Sequence, residues 1–155
     1  MSTPENTVGL AILVGAGPGE SSLISREAEK WLRQCEIILY DRLVHPRLLG
    51  FAPPETERIA VGKSAGKHTL PQEKINALLV KKVRDGKIVV RLKGGDPLIF
   101  GRGGEEADAL STAKLPFRIV PGITAAIAAG AYTGVSLTDR RYAATVAFVT
   151  GHEDP

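Results

Sequence analysis

Along this chain the apolar positions alternate between short continuous runs and stretches of helical spacing. Gly9 to Val14 is an apolar run closed by glycines, and Ser22 to Gln34 sets Leu23, Ile24, Ala28, Trp31 and Leu32 on one side of a helix. Glu36 to Tyr40 and Arg58 to Val61 have strand length, the second following the turn-forming Pro53 and Pro54. From Pro71 to Arg84 the apolar residues Ile75, Leu78, Leu79 and Val83 recur three or four apart; Pro71 suits a first helical turn and Asp85-Gly86 ends the helix. Lys87 to Leu92 then reads as a β-branched strand, Gly103 to Ala113 as a helix, Phe117 to Val120 as a strand and Gly122 to Tyr132 as a helix of small residues. Ala143 to Thr150 predicts one more strand. This alternation predicts an α/β fold, a mostly parallel sheet with helices on both faces.

The character changes after Gly134, where Leu137 to Tyr142 is polar and arginine-rich. A domain boundary is therefore expected at 134–141: residues 1–136 form one α/β domain, and residues 137–155 form a linker and the start of a second, truncated domain represented by its first strand. A chain of 155 residues supports one ordinary core. With 43% hydrophobic and 24% charged residues, neither a disordered nor a fibrous chain is indicated. The weakly polar stretch Ile119 to Val135 is interrupted by Pro121, Gly122, Gly130 and Gly134, which suits a buried helix better than a membrane span. Met1 to Thr7 lacks the basic region of a secretory signal, so a cytoplasmic location is expected. The single Cys35 excludes an intrachain disulfide and a cysteine zinc site, and core packing is its expected role. A net charge of +3 is too small to drive nucleic-acid binding but compatible with an anionic small substrate. His45, His68 and His152 lack metal-ligand spacing, and no metal is expected.

In an open parallel sheet, ligands bind beyond the carboxyl ends of the strands, and here those loops are rich in glycine. The first, Gly15-Ala16-Gly17-Pro18-Gly19, stands where a dinucleotide-binding loop would, but Glu20 occupies the place of its third glycine and Pro18 removes a backbone N–H. A nicotinamide domain with Asp41 on a ribose hydroxyl is thereby disfavoured. The second, Lys93 to Glu106, contains Gly94-Gly95-Asp96-Pro97 and Gly101-Arg102-Gly103-Gly104; its glycines permit close backbone approach and Asp96 offers a carboxylate for a cation. Glu105 and Glu106 also suit a helix amino terminus. The third is Pro121-Gly122-Ile123-Thr124-Ala125-Ala126, whose small residues suit either a flat ligand or close helix packing.

Taken together, Val14 to Gly19, Leu39-Tyr40-Asp41-Arg42-Leu43-Val44, Val61-Gly62-Lys63, Pro71-Gln72-Glu73, Val90 to Glu106, Val120 to Ala126 and Val149-Thr150-Gly151-His152 resemble the tetrapyrrole methylases, specifically their uroporphyrinogen-III C-methyltransferase group. The stretches run in family order along nearly the whole chain, and the segment from Asp96-Pro97 to Glu106 is the most specific. The resemblance implies a homodimeric, two-domain enzyme of sirohaem or cobalamin biosynthesis. Its cofactor, S-adenosyl-L-methionine, lies between the domains and leaves as S-adenosyl-L-homocysteine. Of that enzyme this sequence covers the first domain and the opening strand of the second. The resemblance implies cofactor contacts at Pro18, Gly94, Gly95, Asp96, Ile99, Thr124 and Ala125, with Asp41 as proton acceptor, Lys63 as proton donor, and Arg102, Glu105 and Arg140 on the substrate side.

The chemistry is consistent with those roles. Methyl transfer from a sulfonium is largely a positioning task, Asp96 is suited to the cofactor's ammonium group, and a base must remove a ring-system proton. Arg102, Arg140, Arg141, Lys63 and Lys67 fall in expected loops where a polycarboxylate tetrapyrrole would meet them. The residues alone do not single out the base. They also leave open a sister methylase acting on a precorrin and a non-catalytic unit that binds cofactor or dimerises.

Overall fold

The computed structural model describes residues 8–62 and 70–151. Five strands form one parallel sheet in the order β3-β2-β4-β1-β5, with β1 at Leu10–Gly15, β2 at Ile37–Tyr40, β3 at Glu57–Ala60, β4 at Ile88–Lys93 and β5 at Phe117–Val120. β4 lies between β1 and β2, pairing Ile12 and Ile38 with the two sides of Val90. Central strands need apolar residues on both faces, which is why β1, β2 and β4 read as near-continuous runs. The outer strands β3 and β5 are half exposed.

Helices cover both faces, as expected from the alternation. Over one face Ile12, Val14, Ile38, Val90 and Leu92 pack with Ala28 and Leu32 of α1 (Arg26–Leu32) and Leu48 of α2 (Pro46–Leu49). Over the other, Ala11, Leu13, Ile37, Leu39 and Val89 meet Ile75, Leu79 and Val83 of α3 (Gln72–Arg84) and Leu110 of α4 (Gly103–Thr112). Cys35 belongs to the first of these cores, and burial pushes its thiol up to about 11. The native protein is therefore expected to resist a thiol reagent at pH 8 and to react stoichiometrically once unfolded in guanidinium, as followed by absorbance of the released chromophore.

Several elements differ from the sequence reading. The helix expected from Ser22 starts later: a 3-10 turn at Ser21–Leu23 is followed by extended Ile24, and the Ser25 side chain then caps α1 by accepting from the Ala28 N–H at 3.1 Å. The short α2 was not anticipated; His45 caps it through Nδ1 and Pro46 occupies its first turn. α5 spans Ala125–Thr133, three residues later than expected at its start, because Pro121 to Ile123 remain a loop. Nor is α5 buried all round. Only Ala128 and Gly130 are buried, since its apolar residues surround the helix and one face alone can reach the rest of the fold. The strand expected over Ala143 to Thr150 is not formed: among the described residues this segment has a single bridge, Asp139 to Ala143, and no neighbouring strand to supply a ladder. No helix among the described residues is long and apolar enough to cross a membrane.

Candidate functional site

The sheet order creates a topological switch point. β1 and β4 are neighbours, yet the chain leaves β1 toward β2 on one side and leaves β4 toward β5 on the other. The loops diverging there are those the sequence marks with glycine, and the backbone ties them together. Gly17 and Gly95 exchange N–H···O bonds of 3.1 and 2.8 Å, and the Ala16 N–H donates to the Lys93 carbonyl at 2.7 Å. The β5 loop joins them through Asp96, whose Oδ2 accepts from the Gly122 N–H at 3.0 Å while Oδ1 accepts from the Leu98 N–H at 2.8 Å.

Gly95 has φ +62° and Gly17 φ +77°, values that L side chains rarely adopt. Gly15 and Gly122 serve a different purpose. A Cβ at Gly122 would be driven onto the Gly95 carbonyl oxygen and the Gly15 backbone. Three loops thus meet backbone to backbone. Phe100 and Arg102 add left-handed conformations, φ 52° and 55°, costing about 1–2 kcal/mol each.

Two adjoining cavities open at this junction. Gly17, Pro18, Leu43, Gly94, Gly95, Ile99, Phe100, Thr124 and Ala125 line the first, of about 320 Å³. Six of the seven residues assigned to cofactor by resemblance are in that lining. The seventh, Asp96, is not: its carboxylate is turned into the loop junction, where it accepts two backbone N–H groups. Of those two bonds, the one from Leu98 lies within the second loop and the one from Gly122 joins it to the third. The other cavity, about 290 Å³, is lined by Asp41, Arg91, Lys93, Gln72, Gly62 and Arg102 among others, and shares Leu43, Gly94 and Phe100 with the first.

The residues assigned to substrate are distributed unevenly. Asp41 and Arg102 line the second cavity. Glu105 pairs with Arg102 through bonds of 2.7 and 2.8 Å, which hold its carboxyl below the ordinary glutamate range. Arg140 is exposed in the turn closed by Asp139 and Ala143, and it lines neither cavity. Arg141 is committed to Asp139 at 2.8 Å. Lys63, Lys67, His68 and His152 lie outside the described residues. In the first loop the Glu20 side chain accepts from the Ser22 N–H, which lowers its pKa and puts a carboxylate where a dinucleotide phosphate would need N–H groups.

Beneath Asp41 lies a charge cluster that the sequence reading missed. Arg91 and Lys93 on β4 point to the α3–α4 side, opposite Val90 and Leu92. Arg91 donates through Nε to Glu106 Oε1 at 2.7 Å and through Nη2 to Asp41 Oδ1 at 2.6 Å. Lys93 Nζ lies 3.0 Å from Glu106 Oε1 and 3.7 Å from Asp41 Oδ2. The side chains of Glu106, Arg91 and Lys93 are 0%, 1% and 3% exposed, that of Asp41 29%. Burial, then the like charge of Arg91, lowers the Lys93 pKa, and the two carboxylates oppose this. A signal for the cluster was available: two cations two residues apart in a strand flanked by strands on both sides require buried partners.

A larger cavity, about 460 Å³, lies near the opposite strand ends, where both of its lysines are engaged by carboxylates of the same lining, Lys82 with Glu57 at 2.7 Å and Lys87 with Glu36 at 2.8 Å.

Comparison with known proteins places the chain among methylases. Residues 11–155 match the family model described as Tetrapyrrole (Corrin/Porphyrin) Methylases. A siroheme synthase of Baumannia cicadellinicola subsp. Homalodisca coagulata is 53% identical over 149 residues, covering 96% of this chain and 32% of the relative. The S-adenosyl-L-methionine-dependent uroporphyrinogen III methyltransferase of Methanosarcina barkeri is 50% identical over 147 residues, covering 95% of this chain and 58% of the relative. Among solved structures, uroporphyrin-III C-methyltransferase from Thermus thermophilus complexed with S-adenyl homocysteine superimposes with a TM-score of 0.75 at 43% identity, over 88% of this chain and 57% of that one. The chain thus spans 32% and 58% of the length of these two relatives.

Proposed function

The chain belongs to the tetrapyrrole methylase family, and from that premise we propose that it carries the cofactor half-site and proton-accepting carboxylate of an enzyme that C-methylates uroporphyrinogen III, yielding precorrin-2 for sirohaem or cobalamin synthesis. The observation that carries this reading is the pair of adjoining cavities, one of small residues and bare backbone, the other acidic and basic, meeting along Leu43, Gly94 and Phe100. Residues 1–136 act as the α/β domain and 137–155 lead toward a second domain. A homodimer in the cytoplasm, without nucleic acid or membrane, is part of the same proposal.

The first cavity fits an S-adenosyl group chemically. Gly94 and Gly95 leave backbone uncovered, since a Cβ at Gly95 would stand 3.6 Å from the Thr124 backbone, narrowing the space between the second and third loops. Pro18 and Ile99 offer apolar contact, while Thr124 and Ala125 form the start of α5. When bound, S-adenosylmethionine supplies an electrophilic methyl group on a sulfonium. The protein's share is to hold the acceptor ring against that cavity and to take up the ring-system proton released once the acceptor carbon has been methylated. Asp41 is the group suited to that proton, being a carboxylate at the surface of the second cavity. Lys63 follows Gly62 of that lining and remains the proposed donor; Arg102 with Glu105, and Arg140, are proposed for the substrate carboxylates.

Calorimetric titration tests the cofactor assignment. S-adenosylhomocysteine is expected to bind and NAD not to, and Ala125→Leu, which adds bulk inside the first cavity, is expected to weaken the binding by about tenfold or more. NAD binding in preference to S-adenosylhomocysteine would refute the reading.

A further inference from the structure

Asp41 is held from both of its oxygens. Arg91 Nη2 reaches Oδ1 at 2.6 Å and Lys93 Nζ faces Oδ2 at 3.7 Å. Neither cation is free to choose its own position. The Arg91 guanidinium is fixed at its other edge by Glu106 and further by the carbonyls of Leu39 and Leu92, at 3.4 and 3.3 Å. Glu106 Oε1 also accepts from Lys93, and from Gln72 Nε2 at 3.3 Å. One carboxylate oxygen therefore sets both cations that set Asp41, while Glu106 Oε2 is buried with no hydrogen-bond partner among the described residues. An arrangement whose purpose was only to neutralise β4 would not need to end at a partly exposed carboxylate on the cavity wall.

We infer that Glu106, acting through Arg91 and Lys93, is a positioning residue for Asp41, fixing the direction in which the Asp41 carboxylate meets the ring-system proton it takes up. The inference rests on the proposed role of Asp41 as proton acceptor. Its physical basis is that proton transfer requires hydrogen-bond reach in a defined direction, and a carboxylate gripped by a two-edged guanidinium has little rotational freedom. The sequence reading gave Glu106 only the general benefit of an acid at a helix amino terminus. The structure separates it from its neighbour, since Glu105 is exposed and pairs with Arg102 whereas Glu106 is fully buried.

The test uses steady-state methylation of uroporphyrinogen III, with S-adenosylhomocysteine affinity as the control for an intact fold. Two variants are made, each alone and in an Asp41→Asn background. Lys93→Met/Glu106→Gln removes one cation and one anion together, so that the buried cluster stays balanced. Arg91→Lys keeps the charge but loses the two-edged bridge. Each is expected to lower kcat by roughly 10- to 100-fold with KM for the methyl donor unchanged, and to add no more than about twofold beyond Asp41→Asn, because groups acting through one another are not additive. A kcat within twofold of the unsubstituted protein in either variant that still binds S-adenosylhomocysteine, or an equal loss with and without the Asp41 carboxylate, overturns the inference alone. Absence of methylation by the unsubstituted protein overturns the proposed function and the inference with it.

Discussion

Gly122→Ala is expected to destabilise the protein by about 2 kcal/mol and to weaken S-adenosylhomocysteine binding by about tenfold or more. The added Cβ points at the Gly95 carbonyl oxygen and the Gly15 backbone, so relief requires moving main chain rather than rotating a side chain. The β5 loop would then withdraw from the β1 and β4 loops. Withdrawal breaks the 3.0 Å bond from the Gly122 N–H to Asp96 and carries Thr124 and Ala125 away from Gly94 and Gly95, on the other wall of the first cavity. Stability and binding fall together because the same contact closes the loops and shapes the cavity. Gly104 supplies the control: it lies in the first turn of α4, a Cβ there meets nothing within 4 Å, and alanine is expected to stabilise by about 0.5 kcal/mol with binding unchanged. Urea denaturation and calorimetry read both quantities. A Gly122→Ala protein with undiminished affinity would show that the close approach of these loops does not form the binding site.

How far the sequence could be read follows from which forces act locally. The central strands were legible because strands buried on both faces must be apolar almost throughout, and the three glycine loops because a backbone held at positive φ or against another backbone leaves few residue choices. Helix starts were less legible. Ser25 resets α1 after a 3-10 turn, and a capping serine is distinguished from its neighbours Ser21 and Ser22 only by the N–H it receives. Pairing was not legible at all for Ala143 to Thr150, since a strand exists only with a neighbour and apolar character does not provide one. At the site, position could be read but orientation could not. Asp96 and Asp41 are each a carboxylate just beyond a strand, yet one turns inward to two backbone N–H groups and the other stands at a cavity wall over two buried cations. Glu105 and Glu106 are adjacent in sequence and differ entirely in burial, because successive helical positions are about 100° apart and only one faces β4.

Asp41→Asn is expected to lower the methylation rate by roughly 10²- to 10⁴-fold, the range that a positioned general base supplies, while leaving S-adenosylhomocysteine affinity within about twofold. The separation of effects follows from the cavities: Asp41 lines only the second, and six of the seven residues assigned to the cofactor line the first, with Leu43, Gly94 and Phe100 between them. Asparagine keeps an acceptor for Arg91 Nη2 but removes the charge, so the buried cluster is left with two cations facing the single carboxylate of Glu106. Because Asp41 is partly exposed and water can replace some of its contribution, the stability loss is expected to be about 1 kcal/mol, well below the cost of breaking a fully buried pair. Arg102→Ala is the informative companion. Its side chain is on the rim and pairs with exposed Glu105, so removing it is expected to raise KM for the tetrapyrrole with a smaller change in kcat. Initial rates at varied tetrapyrrole concentration, with calorimetry on the same preparations, distinguish the two. If Asp41→Asn instead abolished cofactor-product binding and left turnover of bound complex intact, the assignment of the carboxylate to the proton and of the glycine loops to the cofactor would have to be exchanged.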